Sequence, residues 1–375
     1  MKVNLIQSYN NNYCYKDLKA NIKKTDYRGG NCITDYCALP FYIPDISFKK
    51  SNAEKVLKTF TNHVGDAYSG YPMLREKTVK EIFQKLDKRP NAQAAINLLN
   101  NYTKYLYRIE SQIYEIILDA PYKHKKTFDE ILKQHVPGAL TRLREKESYI
   151  LHSTDDFIKE LSNGTRHTIS QIRDYSLKQV EDDTFRRGTP LGLIQEITVC
   201  PEEDVILRQI YRTWFRLPHS FMDEDAFIVE NSKMSHTSIA KRLISVSEES
   251  VEHIKLQKNN GSDDMENLLL TSRGFNHERG ELPMDEFSLI MLPYGINVPN
   301  NIQMQMNQFI RGINVMDPLY TKISWYPDKV KETILKQSNG LILLDTSKLN
   351  LSKRQKKENN CVNRLSEKYI VKTKE

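Results

Sequence analysis

The chain has 375 residues, of which 39% are hydrophobic and 27% charged, with a net charge of +7. That balance is ordinary for a globular protein of two domains or one large one. No apolar stretch is long enough to span a bilayer and no charged-then-apolar leader pattern opens the sequence, so nothing suggests membrane insertion or export and a cytoplasmic protein is expected.

The five cysteines, Cys14, Cys32, Cys37, Cys200 and Cys361, are odd in number and scattered, which fits reduced thiols better than a disulfide framework. Cys32 and Cys37 with Cys14 make at most half a zinc site. The abundance of Asn, Lys and Ile suggests an AT-rich bacterial or phage genome. Charge is unevenly placed: Lys348–Glu375 holds nine Lys/Arg against three Glu, a net +6, so residues 1–347 carry only about +1. A basic tail of this kind either grips phosphates or is a solvated end.

In chain order, Met1–Lys50 is irregular, with Pro40 and Pro44, and shows no chemistry. From about Ser51 to Glu160 the pattern is helical. Across Ala92–Leu118, residues Ile96, Leu99, Leu106, Ile109, Ile113, Ile116 and Ile117 lie near one stripe, predicting a helix that Pro121 ends. Thr127–Gln134 and Leu140–Leu151 predict two more, separated at Pro137-Gly138, and Asp155–Leu161 a short one. Tyr102, Tyr105 and Tyr107 with Lys104 and Arg108 resemble a stacking surface for nucleic acid, although aromatics at helical spacing are more often core or rim.

Asp182-Asp183 and the run Arg186–Pro190 read as a linker. Pro201–Leu217 and Ser238–Leu243 predict helices. Trp325-Tyr326-Pro327 opens another through Lys336, Gly340 stops it, and Leu341–Leu344 is a short strand. The expected fold class is α+β, mostly helical. The expected organisation is a helical region 1–195, a second domain 199–345 and the tail 346–375.

The most informative stretch is Val251–Gly280, VEHIKLQKNNGSDDMENLLLTSRGFNHERG. Ser250–Leu256 alternates roughly, with Val251, Ile254 and Leu256 as inward candidates. Lys258–Asp264 is a cluster of turn formers. Leu268–Leu270 can be a second, buried strand, giving a hairpin with a long loop. Ser272 can cap a short helix through Arg273–Arg279, closed by Gly280. Glu252 and His253, adjacent on a strand, point to opposite faces unless the strand bends or a metal sits at its edge.

This stretch resembles the ββα-metal core of HNH nucleases. Glu252-His253, the Gly-bearing turn, Asn267 opening the apolar strand, Asn276, and Arg279-Gly280 arrive in the family's order. The nine-residue step from Asn267 to Asn276 matches the zinc-free HNH modules of RNA-guided nucleases. The resemblance implies that Glu252 and Asn276 bind Mg²⁺ or Mn²⁺ and that His253 is the general base. It implies that Asn267 braces the loop or orients His253. Arg273, His277 and Arg279 are candidate phosphate contacts. Many members carry C-x-x-C before the final Asn. Here Ser272 and Phe275 stand in those places, so no structural zinc is expected and Phe275 should pack.

The resemblance implies an endonuclease acting on DNA, with residues 1–195 targeting, sensing or binding a partner, or mediating oligomerisation. Bacterial HNH units fused to unfamiliar helical regions are often antiphage effectors, restriction-type nucleases or mobile-element enzymes. Two alternatives stand beside this reading. One is a non-catalytic nucleic-acid-binding or structural protein that keeps the ββα shape. The other is an RNA-cleaving nuclease, since the motif reads a phosphate and not a sugar.

Overall fold

A computed structural model describes residues 50–88, 91–315 and 323–338, with 342 and 344. The irregular N-terminal segment, the strand expected at Leu341–Leu344 and the basic tail fall wholly or mostly outside these residues, as do all cysteines but the exposed Cys200.

The described chain is mostly helical with a single two-stranded sheet. Among the described residues, five α-helices precede residue 153: α1 Lys50–Lys58, α2 Glu76–Asp87, α3 Ala92–Leu99, α4 Arg108–Leu118 and α5 Phe128–His152. Six more lead to the sheet: α6 Asp155–Lys159, α7 Asn163–Glu181, α8 Gly188–Gln195, α9 Pro201–Phe215, α10 Glu224–Asn231 and α11 His236–Ser245. Strands β1 (Glu249–His253) and β2 (Leu268–Ser272) follow, then α12 Arg273–Arg279, α13 Met284–Met291, α14 Val298–Val315 and α15 Tyr326–Gln337. Among the described residues, no helix is long and apolar enough to cross a membrane.

Local signals explain many of the boundaries. Asn91, Asp223 and Ser235 each accept a backbone N–H from the first turn of α3, α10 and α11. The Glu130 carboxylate reaches back to the Thr127 N–H at 2.7 Å, fixing the start of α5. Pro201 opens α9 with Glu202, Glu203 and Asp204 behind it, where acids suit the helix dipole.

Three expectations are corrected. Pro137 does not divide α5. An interior proline costs about 3 kcal/mol, but Ile131, Leu132 and Leu143 are buried on either side of it, at roughly 1.5–3 kcal/mol each. Second, Ala92–Leu118 is not one helix. It narrows into 3₁₀ turns at Asn100–Tyr105 and opens to extended backbone at Leu106 and Tyr107 before α4. The break turns Tyr107 into the core, 4.9 Å from the Tyr71 ring and 5.8 Å from Phe275. Tyr102 and Tyr105 pack half-buried against the helices, and Lys104 lies over Tyr105, so these aromatics are mostly core and rim, the commoner reading of their spacing. Third, the stretch read as a linker is docked. Arg187 donates to the Phe215 carbonyl at 2.6 Å, lies over its ring, and pairs with Glu278 of α12.

Among the described residues, three apolar clusters form the interior. One gathers α2–α5 with α10 and α11. A second gathers the end of α5 with α6–α9 around Trp214. The third surrounds the hairpin and draws on both sides of residue 195: Leu57, Phe60, Ala67 and Tyr68 share it with Leu268–Leu270, Phe287, Phe309 and Tyr326.

That third cluster makes so small a sheet possible. A lone two-stranded hairpin is marginal in water, and buried strand carbonyls need partners. All five residues of β2 are buried. Gln305 of α14 donates to the Leu270 carbonyl at 2.5 Å, and the Ala67 N–H reaches the same oxygen at 3.1 Å. The Tyr326 hydroxyl of α15 donates to the Leu268 carbonyl at 2.9 Å. Two side chains and one main-chain N–H therefore stand where a third strand would.

Candidate active site

β1 and β2 are antiparallel, with Glu249 opposite Ser272 and His253 opposite Leu268. Ser272 ends β2 and also caps α12, accepting the Phe275 N–H at 3.3 Å, so helix follows strand with no intervening loop. Gly280 closes α12 at φ +51°, a backbone region that glycine enters without penalty. Phe275 is buried against Phe221, 5.1 Å away and edge-on. Gly274 lies so close to that ring that a Cβ would come within 2.5 Å of it.

The strand–helix junction rests on a residue that the motif did not reveal. Asp66 is fully buried and its carboxylate accepts from two sides. Oδ1 takes the N–H groups of Tyr68 and Ser69 at 2.8 and 2.7 Å. Oδ2 takes the Thr271 hydroxyl at 2.7 Å and the Ser272 N–H. The available signal was local: an Asp followed three residues later by Ser, before Gly70 and Pro72, is turn chemistry inside a region read as helical.

His253 ends β1 and is half-buried, with Nε2 2.8 Å from Asp263 Oδ1 in the connecting loop. The Asn267 side chain makes no hydrogen bond to His253. Its amide donates to the carbonyls of Lys255 and Ser262 at 3.0 and 2.7 Å and accepts the Lys255 N–H at 2.8 Å. Of the two roles expected for it, its bonds are those of a brace. The loop is tight: Asn260 is left-handed at φ 61°, and a Cβ on Gly261 would lie 1.8 Å from the Lys255 carbonyl oxygen.

Asn276 and Arg279, one turn apart on α12, both reach β1. Asn276 spends its amide N–H groups on the Ser250 hydroxyl at 2.8 Å and the Val251 carbonyl at 3.2 Å, which leaves Oδ1 as its donor atom for a cation. Glu252 turns into the same helix–strand seam, on the opposite side of the strand from His253. It is 5% exposed, and its Oε1 receives Arg279 at 2.8 Å. Burial pushes its pKa up to about 7 against the pull of that guanidinium. β1 thus buries Glu252 in the seam, while Val251, expected to face inward, packs half-buried against the hairpin's apolar cluster.

Arg279 is not a phosphate contact. Its side chain has no exposure and donates to Glu252, the Tyr68 hydroxyl and the carbonyls of His253, Ile254 and Leu282. Arg273 and His277 lie on the solvent side of α12. Arg273 is 66% exposed and paired with Glu248, and His277 is exposed.

Glu252 and Asn276 are oxygen donors on adjoining elements, which suits a hard divalent cation completed by water and substrate oxygens. Among the described residues, no group of three His, Cys, Asp or Glu side chains forms a protein cage for a metal. Asn276 fits as placed. Glu252 fits only by exchanging Arg279 for the cation. No protein-family model matches the chain, and neither a curated protein nor a solved structure matches it.

Proposed function

We propose that this protein is a metal-dependent endonuclease of the HNH type that hydrolyses phosphodiester bonds of DNA. The observation that carries the reading is one continuous hairpin-and-helix unit. It holds His253 at the end of β1, Asn267 at the foot of β2 and Asn276 on α12. In this reading His253 takes a proton from the attacking water. Asn276 and a released Glu252 would hold Mg²⁺ or Mn²⁺. When bound, such a cation supplies stabilisation of the charge on the phosphoryl oxygens and the leaving 3′ oxygen. Asn267 keeps the loop behind His253 in place. Arg273 and His277 are the exposed cationic and polar groups beside the site for phosphate.

The Glu252–Arg279 pair favours a second reading, in which the ββα unit binds nucleic acid without cleaving it. One experiment separates the two. Supercoiled plasmid, single-stranded DNA and RNA are incubated side by side with the protein in Mg²⁺ or in EDTA. The nuclease reading expects cleavage in Mg²⁺ and none in chelator, and the pattern over the three substrates reports whether DNA or RNA is the target. Binding without cleavage in every lane supports the second reading.

A further inference from the structure

We infer that Asp263 is the positioning residue for His253, fixing the imidazole with its proton on Nε2 and its lone pair on Nδ1. The inference rests on the nuclease reading for its catalytic consequence but on geometry alone for the pairing. Asp263 Oδ1 lies 2.8 Å from His253 Nε2 and also accepts from Gln257 Nε2 at 2.7 Å. A carboxylate only accepts, so the imidazole nitrogen facing it is the donor. That sets the tautomer: Nδ1 is the nitrogen that takes the water proton, and the Nε2–H stays on Asp263 throughout.

The loop is built to deliver this carboxylate. Asn267 holds the Ser262 carbonyl, next in sequence to Asp263, and grips Lys255 with two bonds, just past His253. The absence of a side chain on Gly261 lets the loop close against Lys255 and Leu256. Asn267 therefore acts on His253 indirectly, through Asp263. Neither Asp263 nor Gln257 was marked by the motif, because the loop between strands reads in sequence only as a run of turn formers.

The test uses full-length protein labelled with ¹⁵N-histidine, with the His253 signal assigned by its loss in His253→Gln. Long-range ¹H–¹⁵N spectra report the tautomer. The expected result is Nε2–H for His253 in wild type, and loss of that preference in Asp263→Ala. Steady-state kinetics of Asp263→Ala should show kcat reduced roughly 10–100-fold with KM held within about twofold, the range seen when the hydrogen-bond partner of a metal-ligating histidine is removed. Asp263→Glu, which keeps a carboxylate on a longer arm, should recover part of the kcat. A wild-type Nδ1–H tautomer in an active nuclease would overturn the inference while leaving the nuclease reading intact, as would an Asp263→Ala kcat equal to wild type. The Nε2–H tautomer in a protein that cleaves no nucleic acid would support the pairing and overturn the nuclease reading.

Discussion

Arg279 donates to Glu252 Oε1 at 2.8 Å across the α12–β1 seam, with its own side chain wholly out of solvent. The pair joins the last turn of the helix to the strand that carries His253. Such a pair adds little stability over an apolar pair of the same shape, but removing one partner strands a buried charge. Arg279→Ala should therefore destabilise the protein by about 3–5 kcal/mol, read as a large fall in Tm. Converting both residues to apolar ones of similar size, Glu252→Leu with Arg279→Met, should recover only the part owed to the stranded carboxylate, because the Tyr68 hydroxyl and the carbonyls of His253, Ile254 and Leu282 still lose their donor. If Arg279→Ala melts with the wild type, the seam does not depend on the pair.

The Asp66 carboxylate is the second point on which the site depends. Asp66→Ala leaves the Thr271 hydroxyl and the Ser272 N–H buried without their acceptor. Each such group costs about 1–3 kcal/mol. Hydrogen exchange should rise across residues 268–280, where β2 passes into α12. Unchanged exchange there would show that the junction holds without Asp66.

A buried carboxylate away from the site makes a pH prediction. Glu110 of α4 is fully buried beside Arg242, and burial pushes its pKa up to about 7. A folded value above the unfolded one means that the native state binds the proton more tightly. The stability this confers is present below about pH 4.5, the unfolded value, and is lost as pH rises through about 7. Glu110→Gln removes the titration, so its stability relative to wild type should rise across that window by roughly 3 kcal/mol. Urea denaturation of both proteins at several pH values measures it. A constant difference over the window would contradict the assignment.

Much of the ββα unit was legible in the sequence because its signals are local. Ser272 as cap, Gly280 as terminator and Leu268–Leu270 as a buried strand depend on neighbours within a few residues, and the structure has them in those places. What the sequence hid depends on contacts between distant residues. Arg279 read as a phosphate contact because sequence shows its charge and not the five oxygens that surround it. Tyr107 could be read as core, rim or stacking surface, and the break after α3 that settles it as core follows from packing against Tyr71 and Phe275. Asp66 and Gln305 are invisible as supports until the fold brings them to β2.

The claim at the centre of this account is that His253 is the general base of a phosphodiesterase. The direct measurement is the Mg²⁺-dependent cleavage rate of His253→Ala against wild type on supercoiled plasmid, with matched Tm values confirming that both are folded. His253 is half-buried and its ring bonds to a loop carboxylate, so its removal should leave the core in place. The account predicts a loss of roughly 10²–10⁴-fold in rate. A His253→Ala rate within about threefold of wild type, far short of what a lost general base costs, would contradict it.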